Sequence, residues 1–288
     1  MPCMSRAISS TPAGLLPLPR PLMTGEVLDA AFRLFRAALL RCLPYSGFAV
    51  LVLELPTLYS TFRGGGFALP IGWTVVSGHA GGIFTDHNLV FVISLLLAVV
   101  LFGALTLRLN AVSRGVRPSF RREISTACIR WPNACIATLG ALGFPLLLYG
   151  LGPAFTNVLP KEALMVVALP LIWPTALFAV ALPAFWCDRL GPFAAVAQAV
   201  RVSRRRSWRM VGAILATACL VAVFYVLVTI ALALMSPILG RADLFLIATV
   251  RTCLTLVVGA LGVPFVLAML VVAYEDLKLR EQERLRVV

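Results

Sequence analysis

Residues 189–210 read Arg-Leu-Gly-Pro-Phe-Ala-Ala-Val-Ala-Gln-Ala-Val-Arg-Val-Ser-Arg-Arg-Arg-Ser-Trp-Arg-Met. A basic run closes on Trp208 and Arg209, and an uninterrupted apolar run begins at Met210. Lys and Arg gather on the cytoplasmic flank of a membrane segment, and Trp favours the headgroup level. With 189–209 set inside the cell, every other apolar run of the chain falls into a consistent order.

Composition points the same way. The 288 residues are 60% hydrophobic and only 13% charged, and mean hydropathy is +0.96. Soluble domains carry about 25% charged residues. The net charge of +13 would suggest nucleic acid in a soluble protein. Here the basic residues border apolar runs, so topology and anionic headgroups account for them and nucleic acid is not an expected partner. The seven cysteines, Cys3, Cys42, Cys128, Cys135, Cys187, Cys219 and Cys253, lack the paired spacing of a metal site, and no disulfide framework is expected.

Taken in order, residues 1–22 hold Pro2, Pro12, Pro17, Pro19 and Pro21. Their one apolar patch, Leu15 to Leu18, is too short for a secretory signal, and a disordered cytoplasmic tail is expected. Thr24 is a candidate helix cap, with Glu26 favourable in the first turn. Leu28, Phe32, Phe35 and Leu39 then share one stripe, and Asp29–Arg33 form an i,i+4 pair followed by Arg36. Two readings stay open: a helix lying in the interface, or the cytosolic stem of the first span. A membrane domain is expected over 23–274, with spans at about 42–59, 89–107, 134–152, 163–186, 210–235 and 252–274, each near the ~20 residues a bilayer needs. Phe120, Ile124, Ala127 and Trp131 mark a second short amphipathic helix. Pro170, Pro174 and Pro183 kink the fourth span. Between 189 and 209, Phe193, Val196, Ala197 and Val200 share one stripe, and Gln198, Arg201, Arg205 and Arg209 share another. That helix is expected to break near Val202 and Arg204. The tail 275–288 continues the last helix, with Asp276–Arg280, Glu275–Lys278 and Glu283–Arg286 as pairs.

Sidedness follows from counting. The N-terminal region carries five Lys/Arg, the 108–130 loop six, the 189–209 loop six and the C-terminal tail four; only Arg63, Lys161, Arg241 and Arg251 fall on the other side. The predicted architecture is therefore all-α: six transmembrane helices in three hairpins, each preceded by a basic amphipathic helix, with both termini cytoplasmic. The hairpin unit also reads as a three-fold repeat. Ala31-Phe32-Arg33-Leu34-Phe35-Arg36 aligns with Ala199-Val200-Arg201-Val202-Ser203-Arg204, whereas the middle copy keeps only the layout.

Three segments carry a resemblance. Thr24-Gly25-Glu26-Val27-Leu28-Asp29-Ala30-Ala31-Phe32-Arg33-Leu34-Phe35-Arg36, the basic segment Ala195 to Trp208, and Tyr274-Glu275-Asp276-Leu277-Lys278-Leu279-Arg280 are similar to a bacterial family of six-helix integral membrane proteins. That family is related to the membrane domain fused to some glycerophosphoryl diester phosphodiesterases. The resemblance covers nearly the whole chain and implies a multi-pass protein of the bacterial cytoplasmic (inner) membrane. After Arg280 the chain has Glu281-Gln282-Glu283, where relatives often place Gly.

No enzyme is expected. The His-Arg motif of the fused phosphodiesterase barrel is missing, since His79 precedes Ala80 and His87 precedes Asn88. No segment outside the spans approaches the ~250 residues of a barrel, and nucleophile elbows, phosphate loops and His-Glu-x-x-His runs are absent. No cofactor and no metal are expected. The residue pattern points to a non-catalytic protein that organises anionic lipids or partner proteins, either a second copy or another membrane protein. Arg33, Arg36, Arg201, Arg205 and Arg209 are the candidate headgroup contacts. The alternative is a transporter or channel, for which Glu54, the one acidic residue well inside an apolar run, is the candidate intramembrane site.

Overall fold

The computed structural model describes residues 16, 18, 20–62, 86–116, 119–156, 179–203, 207–235 and 244–287. Among these the chain is all-helical, without strands. Helix α1 is Thr24–Phe62, α2 Asp86–Ser113 and α3 Phe120–Thr156; residues 179–187 are also helical. Then follow α4, Pro192–Ser203, α5, Ser207–Met235, and α6, Leu244–Val287. Among the described residues, three segments are long and apolar enough to cross a membrane: Thr24–Pro56, Val92–Ser113 and Cys253–Arg286. A shorter apolar helical stretch covers Val211–Phe224. Most of the expected fourth span, 163–178, and residues 63–85 lie outside the described residues.

The amphipathic leaders and the spans that follow them are single rods. Helix α1 runs 39 residues through Pro44 and Pro56. Helix α3 runs 37 residues, so the short amphipathic helix expected at 120–131 is the first third of one longer helix. This favours the stem reading of residues 24–41 over a separate interfacial helix. The leader before α5 is the exception: α4 ends at Ser203 and α5 starts at Ser207, with 204–206 outside the described residues.

Helices α1 and α6 form the centre of the bundle and run antiparallel. Leu22 meets Asp276 near one end, and Ser46 meets Ala260 further along. Close approach is made possible by Gly259, where an added Cβ would sit 2.7 Å from Val50 Cγ1. Pro264 has no N–H for the carbonyl of Ala260 four residues earlier. Ser46 Oγ supplies that bond across the interface, at 2.7 Å. A proline inside an apolar helix is tolerated when a neighbour re-satisfies the freed carbonyl in this way. Nearer the N-terminus, Phe32 and Phe35 set their rings edge-on to Phe265, at 6.3 and 5.6 Å. Helix α2 crosses the 179–187 stretch so closely that a Cβ on Gly103 would fall 2.3 Å from Trp186 Cζ2. On α5, Leu215, Leu220, Val223, Phe224, Val226 and Leu227 all point outward. A contiguous apolar face of this kind suits acyl chains rather than water.

The first helical turn closes on Met23. Val27 N–H donates to the Met23 carbonyl at 2.9 Å, and the Glu26 carboxylate reaches back to accept the Met23 N–H at 2.7 Å. This is the glutamate half of a capping box. Within the expected tail over 1–22, two described residues donate backbone N–H groups to the bundle. Leu16 is buried in the apolar core and donates its backbone N–H to the Ser113 carbonyl at 2.9 Å. Leu22 N–H donates to Asp276 Oδ1 at 2.7 Å. Leu16, Leu18 and Leu22 are apolar enough to pack across the bundle end despite the prolines between them.

Candidate functional site

Several charged and polar residues of α1, α2, α3, the 188–190 turn and α6 meet in ties toward one end of the bundle. One of the buried groups there is Glu123, in the first turn of α3. Glu123 Oε2 accepts a hydrogen bond from Tyr45 Oη of α1 and one from Arg108 Nε of α2, both at 2.8 Å. Arg108 also donates to the Arg41 carbonyl at 2.9 Å and stacks over the Tyr45 ring at 4.7 Å. Three helices are thus tied at one carboxylate. Glu123 Oε1 is buried and has no hydrogen-bond partner among the described residues.

A second tie holds the 179–190 segment to α6. Asp188 takes Lys278 Nζ on both oxygens at 2.8 Å and Tyr274 Oη at 2.5 Å. Arg130 of α3 donates to the carbonyls of Phe185, at 3.2 Å, and Leu190, at 2.7 Å. It covers the Phe185 ring at 4.5 Å. The last carbonyls of a helix have no intrahelical donor, so a cation there satisfies both hydrogen bonding and the dipole. Burial, with the adjacent Arg189 charge, lowers the pKa of Arg130 below the usual guanidinium value. A third tie joins the N-terminal segment to α6: Asp276 accepts Leu22 N–H and, at 2.9 Å, Arg280 Nε, and Arg280 Nη2 donates back to the Leu22 carbonyl.

The expected local pairs hold in part. Asp29–Arg33 meet at 2.7 Å and Asp276–Arg280 at 2.9 Å. Glu275 and Lys278 do not pair with each other. Glu275 reaches Arg114 of α2 at 3.5 Å, and Lys278 reaches Asp188. Both turn toward a neighbouring helix because this part of α6 is packed, not free in solvent. At the exposed end of α6, Arg284 pairs with Glu281 at 3.6 Å rather than Glu283 with Arg286.

The arginines expected to face headgroups are spread over two elements. Arg33 and Arg36 are exposed on α1, Arg33 in its pair with Asp29. Arg201 is exposed at the end of α4. Arg205 and the side chain of Arg209 lie outside the described residues. Helix α4 buries Ala195, Ala199, Val202 and Ser203 and leaves Phe193 and Val200 outward. Its outward apolar stripe therefore adjoins Arg201. Val196 is half-buried instead of joining that stripe. Glu54 is buried within the protein.

Between the end of α2, the start of α3 and the 186–189 turn lies a cavity of about 270 Å³. Arg114, Arg122 and Arg189 line it together with Asn110, Ser119 and Glu123. Ser119 is the first carbonyl acceptor of α3, taking Glu123 N–H at 3.0 Å. Arg189 adopts a left-handed conformation, φ 55°, where helices commonly end on Gly. Cys187 also lines this cavity, and burial pushes its thiol up to about 12, so it stays protonated and is a poor nucleophile at neutral pH. Sequence reasoning missed both the Glu123 tie and this cavity. Glu123 sat unmarked between Arg122 and Ile124, with no local partner spacing to single it out.

Among the described residues no group of His, Cys, Asp and Glu could hold a metal ion, and the described cysteines are free. His79 and the side chain of His87 lie outside the described residues. No protein-family model, no curated protein and no solved structure matches this chain.

Proposed function

We propose that the protein is a non-catalytic, multi-pass protein of a bacterial inner membrane that gathers anionic lipids, or a partner protein, at its basic cytoplasmic end. Six spans with both termini inside belong to this reading, as does kinship with the six-helix membrane family it resembles. The observation that carries it is the layer of charge at one end of the bundle. Acidic residues there are consumed in ties between helices, and an excess of exposed arginine remains. Three long apolar helices and the outward apolar face of α5 support a bilayer as the surroundings. Each basic side chain near an anionic surface contributes roughly 1 kcal/mol.

The test replaces Arg201, Arg205 and Arg209 together by Gln. Phosphatidylglycerol and cardiolipin retained on the purified protein are measured, with reporter fusions after Gly78, Asn157, Gly240, Arg117, Arg205 and Val288. Retention should fall while fusions after Arg117, Arg205 and Val288 still report the cytoplasm and the other three the periplasm. Unchanged retention with mixed orientation would mean that these arginines serve insertion only. A transport reading has one observation in its favour, the burial of Glu54 within the protein. An uptake screen comparing the native chain with Glu54→Ala decides it.

A further inference from the structure

Helix α4 differs from the long rods around it. It is 12 residues long, ends at Ser203 and is followed by α5 from Ser207. Four residues of chain reach at most about 14 Å. Helix α4 therefore lies within that distance of an apolar helix whose outward residues include Leu215, Leu220, Val223 and Phe224. The inner side of α4, Ala195, Ala199, Val202 and Ser203, is buried and rests on α3 and α6. The turn ahead of it is held by Arg130 on the Leu190 carbonyl and by Lys278 on Asp188. Its outer side is unlike that of a helix facing water, which carries polar residues opposite the buried stripe. The exposed residues of α4 are Phe193, Ala194, Ala197, Val200 and Arg201, and only Arg201 is polar. Phe193 is 80% exposed, and Trp208, in the first turn of α5, is 79% exposed. Residues 189–210 contain no Asp or Glu.

We propose that α4 lies half-sunk in the cytoplasmic face of the bilayer. Phe193, Ala197 and Val200 meet the boundary between headgroups and acyl chains, and Arg201 reaches back to the phosphates. The inference rests on the proposed function in one respect only, that this end of the bundle stands at the membrane surface. Three features select a bilayer as the occupant of this face over a protein. The first is the pattern itself: an interfacial helix sets aromatic and aliphatic residues toward the lipid and Lys or Arg beside them, and a long basic side chain can lie along an apolar surface with its charge in water. The second is charge, since a basic stretch without carboxylates matches anionic headgroups. The third is continuity. The outward apolar face of α5 begins within the reach of the short link, so one apolar phase covers both helices. Trp208 stands between the two faces, and an indole favours the headgroup level. Because its inner side is packed and its leading turn is tied, α4 is a fixed shelf on the bundle and not a free arm.

The experiment puts the photoreactive residue p-benzoylphenylalanine in place of Phe193, of Val200 or, as a buried control, of Phe185 in the full chain. Phe193 and Val200 point outward and Phe185 is fully buried, so the two test positions accept the larger ring without repacking. Each variant is reconstituted in vesicles of phosphatidylethanolamine and phosphatidylglycerol, irradiated, and analysed by mass spectrometry for adducts to lipid or to protein. Lipid adducts at 193 and 200 should exceed those at 185 at least tenfold. They should persist in about 1 M salt, where charge screening shortens to roughly 3 Å, and in vesicles of phosphatidylcholine alone, because the contact is apolar. Absence of lipid adducts at 193 and 200 overturns the proposal. So do adducts that join two copies of the chain, which would make this face an interface between copies, and lipid adducts that vanish in high salt, which would leave the arginines as the only hold. If 193 and 200 do not reach lipid while the Arg201/Arg205/Arg209 triple Gln variant loses phosphatidylglycerol, the α4 contact fails and the wider reading stands. If they reach lipid and the triple variant keeps its phosphatidylglycerol, the contact stands and the gathering of anionic lipid fails. If neither result appears, both fail.

Discussion

Removing Arg108 should be among the most damaging single changes at the charged end of this protein, and more damaging than removing its acidic partner. The side chains of Arg108 and Glu123 are only 11% and 8% exposed, so solvent screening gives little relief. In Arg108→Met, Glu123 keeps only the Tyr45 hydroxyl on Oε2 and still has nothing on Oε1. Breaking a buried pair from one side costs about 3–5 kcal/mol. In Glu123→Leu, Arg108 retains the Arg41 carbonyl and the Tyr45 ring. The main loss there is the Tyr45 hydroxyl's acceptor, about 1–3 kcal/mol. The double variant removes both charges, so it should be more stable than Arg108→Met alone. Equilibrium unfolding in mixed micelles, with SDS as denaturant and far-ultraviolet dichroism as the signal, measures all three. If Arg108→Met cost less than about 1 kcal/mol, the range of an exposed pair, or if the two single effects simply added, the buried-tie reasoning would be refuted.

Three further outcomes follow from local contacts or their absence. Gly103→Ala puts a Cβ at 2.3 Å from the ring of the buried Trp186 and should cost about 1–3 kcal/mol through overpacking. Gly212→Ala on α5 meets nothing within 4 Å and should gain about 0.5–1 kcal/mol from helix propensity; the same micelle unfolding reads both, and similar effects at the two sites would discredit the α2–Trp186 contact. Asp276→Ala removes the acceptor of Leu22 N–H and the partner of Arg280. Hydrogen exchange at residues 22–27 should then accelerate about tenfold or more, the scale set by losing a bond worth about 1–3 kcal/mol, and an unchanged rate would mean that the N-terminal segment is held elsewhere.

What was legible in the sequence was whatever local spacing carries. The apolar runs gave the three long helices that clear the length for a bilayer, and i,i+4 spacing gave Asp29–Arg33 and Asp276–Arg280. Element boundaries were less legible. The change of composition near Arg41 and again near Pro132 reads as the end of an amphipathic helix, but the helix continues through both, although Pro132 has no N–H to donate. A helix follows its own backbone geometry and is indifferent to the shift from a half-polar to an apolar environment. The long-range ties were not legible at all. Glu123 to Arg108 and Tyr45, and Asp188 to Lys278 and Tyr274, join residues 15 to 90 apart in sequence. Their partners are chosen by packing. Local spacing even favoured the wrong one for Lys278, which has Glu275 one turn away and Asp188 across a helix interface. The candidate arginines on α1 and α4 were legible as exposed charge; the arginines of the cavity were not, because only folding brings Arg122 beside Arg189.

The same ties explain why the excess charge stands where it does. The chain has 12 acidic residues against 25 basic ones, and at this end of the bundle the acids are engaged. Glu26, Asp29, Glu123, Asp188, Glu275 and Asp276 each meet a basic side chain. The buried members of these pairs contribute fixed alignment of helices more than attraction, since desolvation offsets much of the Coulomb gain. What they leave over is positive, exposed and borne on rigid elements: Arg36 on α1, Arg122 on α3, Arg189 at the end of the 179–187 helix and Arg201 on α4. A surface built only for orientation in the membrane needs the charges on one side and nothing more. Here the ties between helices also fix where each exposed arginine stands.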